Sequence, residues 1–322
     1  MQLSKVDVYD ASHLTYRMYH QAKSINPENP IQTASYLLLN SVFALMKGNK
    51  GIPTVFLYDT AGATKDRKEI DENYKSNRVF NPYVHELKTR MTRYLTSLGF
   101  PVVCIEGLEA DDIAYYLSRN CLNPLKFISE DKDWYSYVID NKELLRPIRD
   151  KQLAGGSLTT FNDLLMKVDP ILSGYLPENN TKEDIDREVH KVWIQRKALL
   201  GDASDNVAKF KGVGKSNIVQ LLVKYNKAGC DINKFTPKGV VEKRFKADHD
   251  RFLRNIQVLS YDRMQDMDIK DQLTFEFNPD IDIKVALLEI AKEINSSRIT
   301  NNADKYAQRI LDNHVPVVFN WK

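Results

Sequence analysis

PVVCIEGLEADDIAYYLSRNCLNPLKFISEDKD, residues 101–133, contains two short apolar runs joined by a helix-like segment, and acids follow each run. Residues 101–105 (PVVCI) read as a buried strand, 110–120 as a helix and 125–129 (LKFIS) as a second buried strand. Short apolar strands alternating with helices point to a parallel sheet covered on both faces. Ligand sites in such sheets form outside the carboxyl ends of the strands. Glu109, Asp111, Asp112, Asp131 and Asp133 fall at those ends.

The pattern repeats outward from this unit. Residues 6–9 are apolar-rich and stop at Asp10, and residues 53–58 (PTVFLY) stop at Asp59. Helical apolar spacing covers 31–47, and 82–98 read as a helix ended by Gly99. Residues 151–187 hold a Gly-Gly pair, prolines, asparagines and the polar run PENNTKEDIDRE, and read as an irregular connection leading out of the sheet. Beyond it the pattern is helical over 192–200 and 217–225, with a long amphipathic helix over 243–259. The reading is an α/β domain with a central, mostly parallel sheet over 1–185 and a helical domain over 186–322.

A chain of 322 residues suits two domains of ordinary size, and 43% hydrophobic residues fill a core without covalent staples. Cys104, Cys121 and Cys230 are odd in number, far apart and without CxxC spacing. That argues against a disulfide framework or zinc site and fits a reducing cytoplasm. Cys104, inside PVVCI, is expected as a small core residue. No apolar stretch reaches the roughly 18 residues of a membrane span, and MQLSKVDVYDAS at the start lacks a signal-peptide core. The net charge of +3, from 46 basic and 43 acidic residues, leaves nucleic-acid binding to the placement of charge.

Four strands thus deliver acids to one sheet edge: Asp10, Asp59, the group Glu109, Asp111 and Asp112, and the pair Asp131 and Asp133. Asp202 and Asp205, in GDASDN, form a fifth group at the start of the helical part. A single Asp after a strand suits a turn or a helix cap, as Asp131 does. Asp112 equally suits a solvated helix position. Capping does not need the pairs Glu109-x-Asp111 and Asp131-x-Asp133. Such a cluster repels itself unless a cation sits in it. Oxygen ligands without His or Cys select Mg²⁺ or Mn²⁺. Two such ions roughly 4 Å apart perform phosphodiester hydrolysis.

GDASDNVAKFKGVGKSNIVQLL, residues 201–222, has the form of a helix–hairpin–helix. Gly212, Val213 and Gly214 let the backbone approach a phosphate, and free N–H groups at the next helix start, with Ser216, bind its oxygens. Lys209, Lys211 and Lys215 add charge that positions a duplex without reading its sequence. A P-loop is excluded, since the glycine it needs five positions before Gly214 is Lys209. A plain helix cap at Gly212 is the competing reading.

These stretches together resemble the structure-specific 5′ nucleases: flap endonucleases, bacterial polymerase-linked 5′-3′ exonucleases and phage 5′-3′ exonucleases. The resemblance runs over 6–225. DASHLTYR (10–17) resembles the first-strand motif, and YDTAGATKDRKEIDENYKSNR (58–78) the second, with its Tyr-Lys-x-x-Arg. EADD, DKD and GDASDN are similar to the other three. The phage members, among them the T-even phage ribonuclease H, are similar in length. Where the family usually has Pro-Gly before the hairpin, this chain has Ala208-Lys209.

The resemblance implies a PIN-like α/β domain and a helix–three-turn–helix (helix–hairpin–helix) module over 201–225. It implies a 5′-3′ exonuclease and flap endonuclease that also removes RNA primers from RNA–DNA duplex. Two Mg²⁺ ions, or Mn²⁺ in their place, are implied. Asp10, Asp59, Asp111 and Asp131 would surround the first, with Asp111 and Asp131 counted as catalytic. Asp133 and Asp205 would hold the second, and Glu109, Asp112 and Asp202 would act directly or through water. Lys75 and Arg78 would contact the scissile phosphate region, and K⁺ would bind backbone carbonyls near Val213. Over 64–95 the family forms a basic arch that gates single-stranded 5′ ends, which here carries Lys65, Arg67, Lys75 and Arg78. Tyr74 suits either base stacking or core packing, and Arg17 either a phosphate or a structural bond to the acid cluster. Implied partners are branched or nicked duplex and RNA–DNA hybrid with a 5′ end, and a polymerase or single-strand-binding protein. The chain is expected as a monomer in the cytoplasm, the host's if phage-encoded.

Three competing classes remain. A non-catalytic DNA-structure-binding protein would keep the hairpin without needing so many acids. A PIN-type ribonuclease toxin is shorter and lacks the hairpin. A HAD-type phosphatase needs Asp-x-Asp at the first strand's end, where this chain has Asp10-Ala11-Ser12. The tail PVVFNWK (316–322), with Phe319 and Trp321, suits either packing or docking to a partner.

Overall fold

A computed structural model describes residues 3–47, 50–131, 133–139, 142–147, 156–177 and 180–322. Strands β1 (Val6–Asp10), β2 (Thr54–Leu57), β3 (Val102–Val103), β4 (Leu125–Ile128), β5 (Lys142–Pro147) and β6 (Gly156–Thr159) form one sheet in the order β3-β2-β1-β4-β5-β6. All neighbours run parallel except β5 and β6. Alternate residues serve two cores. Val6, Val8, Val55, Leu57, Leu125 and Phe127 enter one, and Tyr9, Phe56, Tyr58 and Ile128 the other. The apolar strands are therefore buried on both faces, as a parallel sheet requires.

The helices are α1 (Ala11–Ile25), α2 (Pro30–Leu45), α3 (Lys65–Ile70), α4 (Pro82–Ser97), α5 (Ala110–Asn120), α6 (Phe161–Leu172) and α7 (Lys182–Leu200), followed by α8 (Ile218–Lys227), α9 (Val240–Ala247), α10 (His249–Leu259), α11 (Ile283–Glu293), α12 (Ser297–Asn301) and α13 (Ala303–Leu311). Helices α1, α2, α4 and α11 to α13 share the core of Tyr9 and Phe56. Helices α5 to α10 share the core of Val8 and Phe127. One strand pair carries a buried ion pair, Lys126 to Asp7 at 2.8 Å across β4 and β1. Among the described residues, no helix is long and apolar enough to cross a membrane.

Several expectations need correction. The segment 151–187 is not irregular over its described part: it holds β6, α6 and the start of α7, while 151–155, 178 and 179 lie outside the described residues. Two polar signals explain why. Asp163 accepts from the Thr160 amide at 2.7 Å, and Thr181 accepts from the Asp184 amide at 3.1 Å, so Thr-x-x-Asp opens both helices. The long helix over 243–259 is two, broken at Asp248 (φ −117, ψ 29). Cys104 is exposed, because edge strand β3 stops at Val103 and pairs on one side only. Of the two readings of the tail, packing holds. Val317 and Phe319 are buried, Trp321 bridges to Cys121, and the Leu122 amide donates to the Asn320 carbonyl at 2.7 Å.

Candidate metal centre and nucleic-acid interface

The carboxyl ends of β1, β2 and β4 present the acids as the strand order demands, β1 lying between the other two. Asp10 ends β1 and accepts from the His13 amide at 2.9 Å and from Ser129 Oγ at 2.6 Å. Asp59, just after β2, accepts from the Ala110 amide at the start of α5 at 2.9 Å. Asp111 accepts from Trp134 Nε1 at 2.8 Å. Asp131 accepts from the Asp133 amide at 2.9 Å, and its own amide donates to Ser129 Oγ at 3.0 Å. Neither Ser129 nor Trp134 was singled out in the sequence, where nothing separates them from core residues.

These carboxyls crowd one another. Burial, with the charges of Asp131 and Asp59 adding to it, pushes Asp10 up to about 8 despite its hydrogen bonds. Burial and the neighbouring Asp133 push Asp131 up to about 6. Burial, with Asp131 beside it, raises Asp111 well above the carboxylate range. The second group closes from the far side. Oxygens of Asp133, Asp202 and Asp205 all lie within 4.8 Å of one another. An all-carboxylate set of this spacing fits a hard divalent cation. Lys197 from α7 donates to Asp133 and lies 3.2 Å from Asp202, so an ammonium already offsets part of that charge.

Behind the acids lies a buried network of shared cations. Glu109 accepts from Arg67 and from Lys75. Burial opposes its ionisation, but the charges of Lys75 and Arg67 outweigh burial and hold its carboxyl at about 2. Arg67 also donates to Asp112 at 2.9 Å and to Tyr74 Oη at 3.2 Å. Two expectations change here, and one open reading is decided. Asp112, expected near a metal, is fully buried, with its oxygens taken by Arg67, Arg263 and the Glu109 amide. Arg67, expected to bind DNA, is 3% exposed and faces inward. Tyr74 packs in the core at 2% exposure, its hydroxyl 3.3 Å from both Glu109 and Asp205, and so offers no face to a base.

Lys75 is buried between Glu109 and Asp205, while Arg78, with half its side chain exposed, donates to Asp205 at 2.8 Å. Lys65 is exposed on α3. Within the expected 64–95 arch, α4 packs Leu87, Met91 and Leu95 into the core of Tyr9 and Phe56, so that part of the segment is core. The loops around Asn73–Arg78 and Ala203–Asn206 are laced together. Asn206 Nδ2 donates to the Asn73 carbonyl at 2.9 Å, and Asn77 Nδ2 to the Ala203 carbonyl at 3.1 Å. Arg17 bonds to Glu130, a structural partner at the rim of the cluster.

Between α7 and α8 the chain runs through turns over residues 201–217. Gly201 (φ 73) lies so near the returning backbone that a Cβ would stand 2.6 Å from the Lys209 nitrogen. Lys209, Lys211, Gly212, Lys215 and Ser216 are exposed, and Val213 is buried. Gly212 turns at φ 87 between α7 and α8 rather than at a helix end. The Gly214 amide is not free as expected: it donates to Asn217 Oδ1 at 2.9 Å, and Asn217 Nδ2 donates to the Gly212 carbonyl at 2.8 Å.

A resolvase-like α/β sheet with carboxylates gathered at its strand ends defines the class. A family model for the 5′-3′ exonuclease N-terminal resolvase-like domain matches residues 5–162, so this part of the chain is similar to that family. A 5′-3′ exonuclease of Aquifex aeolicus is 25% identical over 229 residues, 68% of either chain. A thermostable DNA polymerase I of Thermus thermophilus is 27% identical over 248 residues, 74% of this chain but 26% of the polymerase, so the chain spans about a quarter of that relative. The bacteriophage T5 D15 flap endonuclease, solved with DNA and metal ions, is similar with a TM-score of 0.57 at 17% identity, covering 96% of this chain and 99% of the other. At that identity the likeness is one of fold.

Proposed function

We propose that this chain is a divalent-metal 5′-3′ exonuclease and flap endonuclease that cuts DNA, and RNA primers in RNA–DNA duplex, near 5′ ends. The observation that carries the reading is one acid-lined centre built from both halves of the chain: Asp10, Asp111 and Asp131 at the sheet edge, and the ring of Asp133, Asp202 and Asp205. Asp10, Asp59, Asp111 and Asp131 would hold one Mg²⁺ or Mn²⁺, and Asp133, Asp202 and Asp205 the other. Bound ions of this kind lower the pKa of water and neutralise charge on a phosphate.

The chain's own groups do the rest. Ser129, Trp134 and the Ala110 amide aim the carboxylates. Lys75, held by Glu109, places a fixed positive charge beside the cluster. Arg78, half exposed, can turn from Asp205 to a phosphate. Lys65 would line the approach, with Arg17 held at the rim by Glu130, and Lys209, Lys211, Lys215 and Ser216 would hold the duplex backbone, with K⁺ at the hairpin. In this reading the sheet part, 1–185, cuts and the helical part, 186–322, holds the duplex. The protein would act as a monomer in the cytoplasm, beside a polymerase or single-strand-binding protein.

Incubation with 5′-labelled flap, nicked duplex and RNA–DNA hybrid in Mg²⁺ tests the reading. Short 5′ products are expected. Absence of cleavage in both Mg²⁺ and Mn²⁺, with duplex binding retained, would favour a DNA-structure-binding protein instead.

A further inference from the structure

Arg263 lies in a short turn after α10, in a region where no motif marks a functional residue. The turn is well anchored. Tyr261 and Met264 are buried, and the Tyr261 ring stacks on Tyr115 with centroids 5.0 Å apart and lies 5.1 Å from the Arg67 guanidinium. Arg263 leaves this turn toward the metal centre. It donates to Asp112 and lies 3.6 Å from Asp66 on α3.

Asp112 is the start of a relay in which each cation serves two acids. Arg263 and Arg67 share Asp112, and Arg67 reaches on to Glu109. Lys75 serves Glu109 and, at 3.7 Å, Asp205. Asp205 belongs to the carboxylate ring. Asp112 is fully buried, so its charge must be met locally. Without Arg263, Asp112 would draw Arg67 to itself. Glu109 would then depend on Lys75 alone, and Lys75 would be pulled from Asp205. Asp112 also accepts from the Glu109 amide at 2.9 Å, so the same change loosens the start of α5, whose Ala110 amide orients Asp59.

We infer that Arg263 is a positioning residue for the nuclease centre, acting through Asp112, Arg67, Glu109 and Lys75 on Asp205. The inference rests on the nuclease reading above. Its test compares Arg263→Met, Arg263→Lys, Asp112→Asn and the Met/Asn double variant in the full chain. The readouts are kcat and KM on a flap substrate, and Mn²⁺ binding followed by electron paramagnetic resonance. Arg263→Met is expected to lower kcat and Mn²⁺ affinity by about tenfold each, the usual scale for groups that orient ligands, with the flap KM unchanged. Arg263→Lys keeps the charge and should recover part of both losses. The double variant should be no worse than the worse single one.

Wild-type kcat and Mn²⁺ affinity in Arg263→Met, or independent multiplying losses in the double variant, would overturn the inference. If Arg263→Met does not fold, Arg263→Lys decides: wild-type kcat and Mn²⁺ affinity in it would also overturn the inference. If the unaltered protein cuts nothing, the nuclease reading fails, while Mn²⁺ binding still reads the relay.

Discussion

Lys75 and Asp205 meet twice: the Lys75 amide donates to the Asp205 carbonyl at 2.9 Å, and its ammonium lies 3.7 Å from the Asp205 carboxylate. One residue therefore joins the segment over the sheet edge to the loop after α7. Lys75 adopts φ 52 to do so, a left-handed conformation that lysine takes only when its surroundings require it.

Removing that ammonium should harm cleavage more than binding. Burial works against the Lys75 charge, but Glu109 and Asp205 more than offset it, so the group is a fixed cation. Lys75→Met is expected to reduce single-turnover flap cleavage by about a hundredfold, the scale for a preorganised electrostatic group. Duplex affinity, which the proposed reading assigns to Lys209, Lys211 and Lys215, should change little in a gel-shift titration.

The carboxylate ring should register as a metal site in the absence of DNA. At about a hundredfold excess over Kd, a divalent ion stabilises the fold by about 2.7 kcal/mol. Mg²⁺ or Mn²⁺ is expected to raise the Tm of the unaltered protein, and EDTA to reverse the rise. In Asp202→Asn/Asp205→Asn, with two of the three ring members neutral, a large part of that rise should vanish in a thermal scan.

Acid should destabilise the fold through His190 on α7. Burial, with the charge of Arg119 adding to it, pushes its imidazole down to about 3. A histidine with a lowered folded-state pKa stays neutral in the native state while the unfolded chain takes up protons. Its contribution is complete above about pH 6.5 and is lost as pH falls toward 3. Denaturant titrations are expected to lose on the order of 3 kcal/mol across that window. His190→Phe, which keeps the ring contact with Tyr115, should flatten the profile.

The tail should prove structural. Phe319 packs on Trp321 and Phe275, with centroids 5.6 and 6.1 Å apart, and Trp321 reaches Tyr116. Removing residues 316–322 is expected to cost about 3 kcal/mol, the range for losing large buried aromatics. Calorimetry would detect that as a lowered Tm. Mn²⁺ affinity should stay near the wild-type value, since the tail packs against α5's far end at Asn120.

The positions of Asp10, Asp59 and Asp131 were legible because chain direction and strand order alone bring such residues to one edge. The roles of Asp112, Arg67 and Tyr74 were not. Their residue types match solvated or DNA-facing groups, and only burial reveals that they satisfy one another. Arg263, 151 positions from Asp112, could not be paired with it from spacing. The helices at Phe161 and Lys182 were hidden by polar, asparagine-rich neighbours, although Thr-x-x-Asp preceded both. Cys104 misled because an apolar run predicts a strand but not where an edge strand stops.

The lacing of Asn206 to Asn73 and Ser76 has a consequence for how the chain reaches its native state. These residues are 130 or more positions apart, so their bonds close a very long loop. Such closure repays its entropy only after the intervening strands and helices are in place. This lacing thus closes only after the elements between the two loops have formed. A nascent chain therefore carries Asp10 and Asp59 long before Asp202 and Asp205 are there to join them.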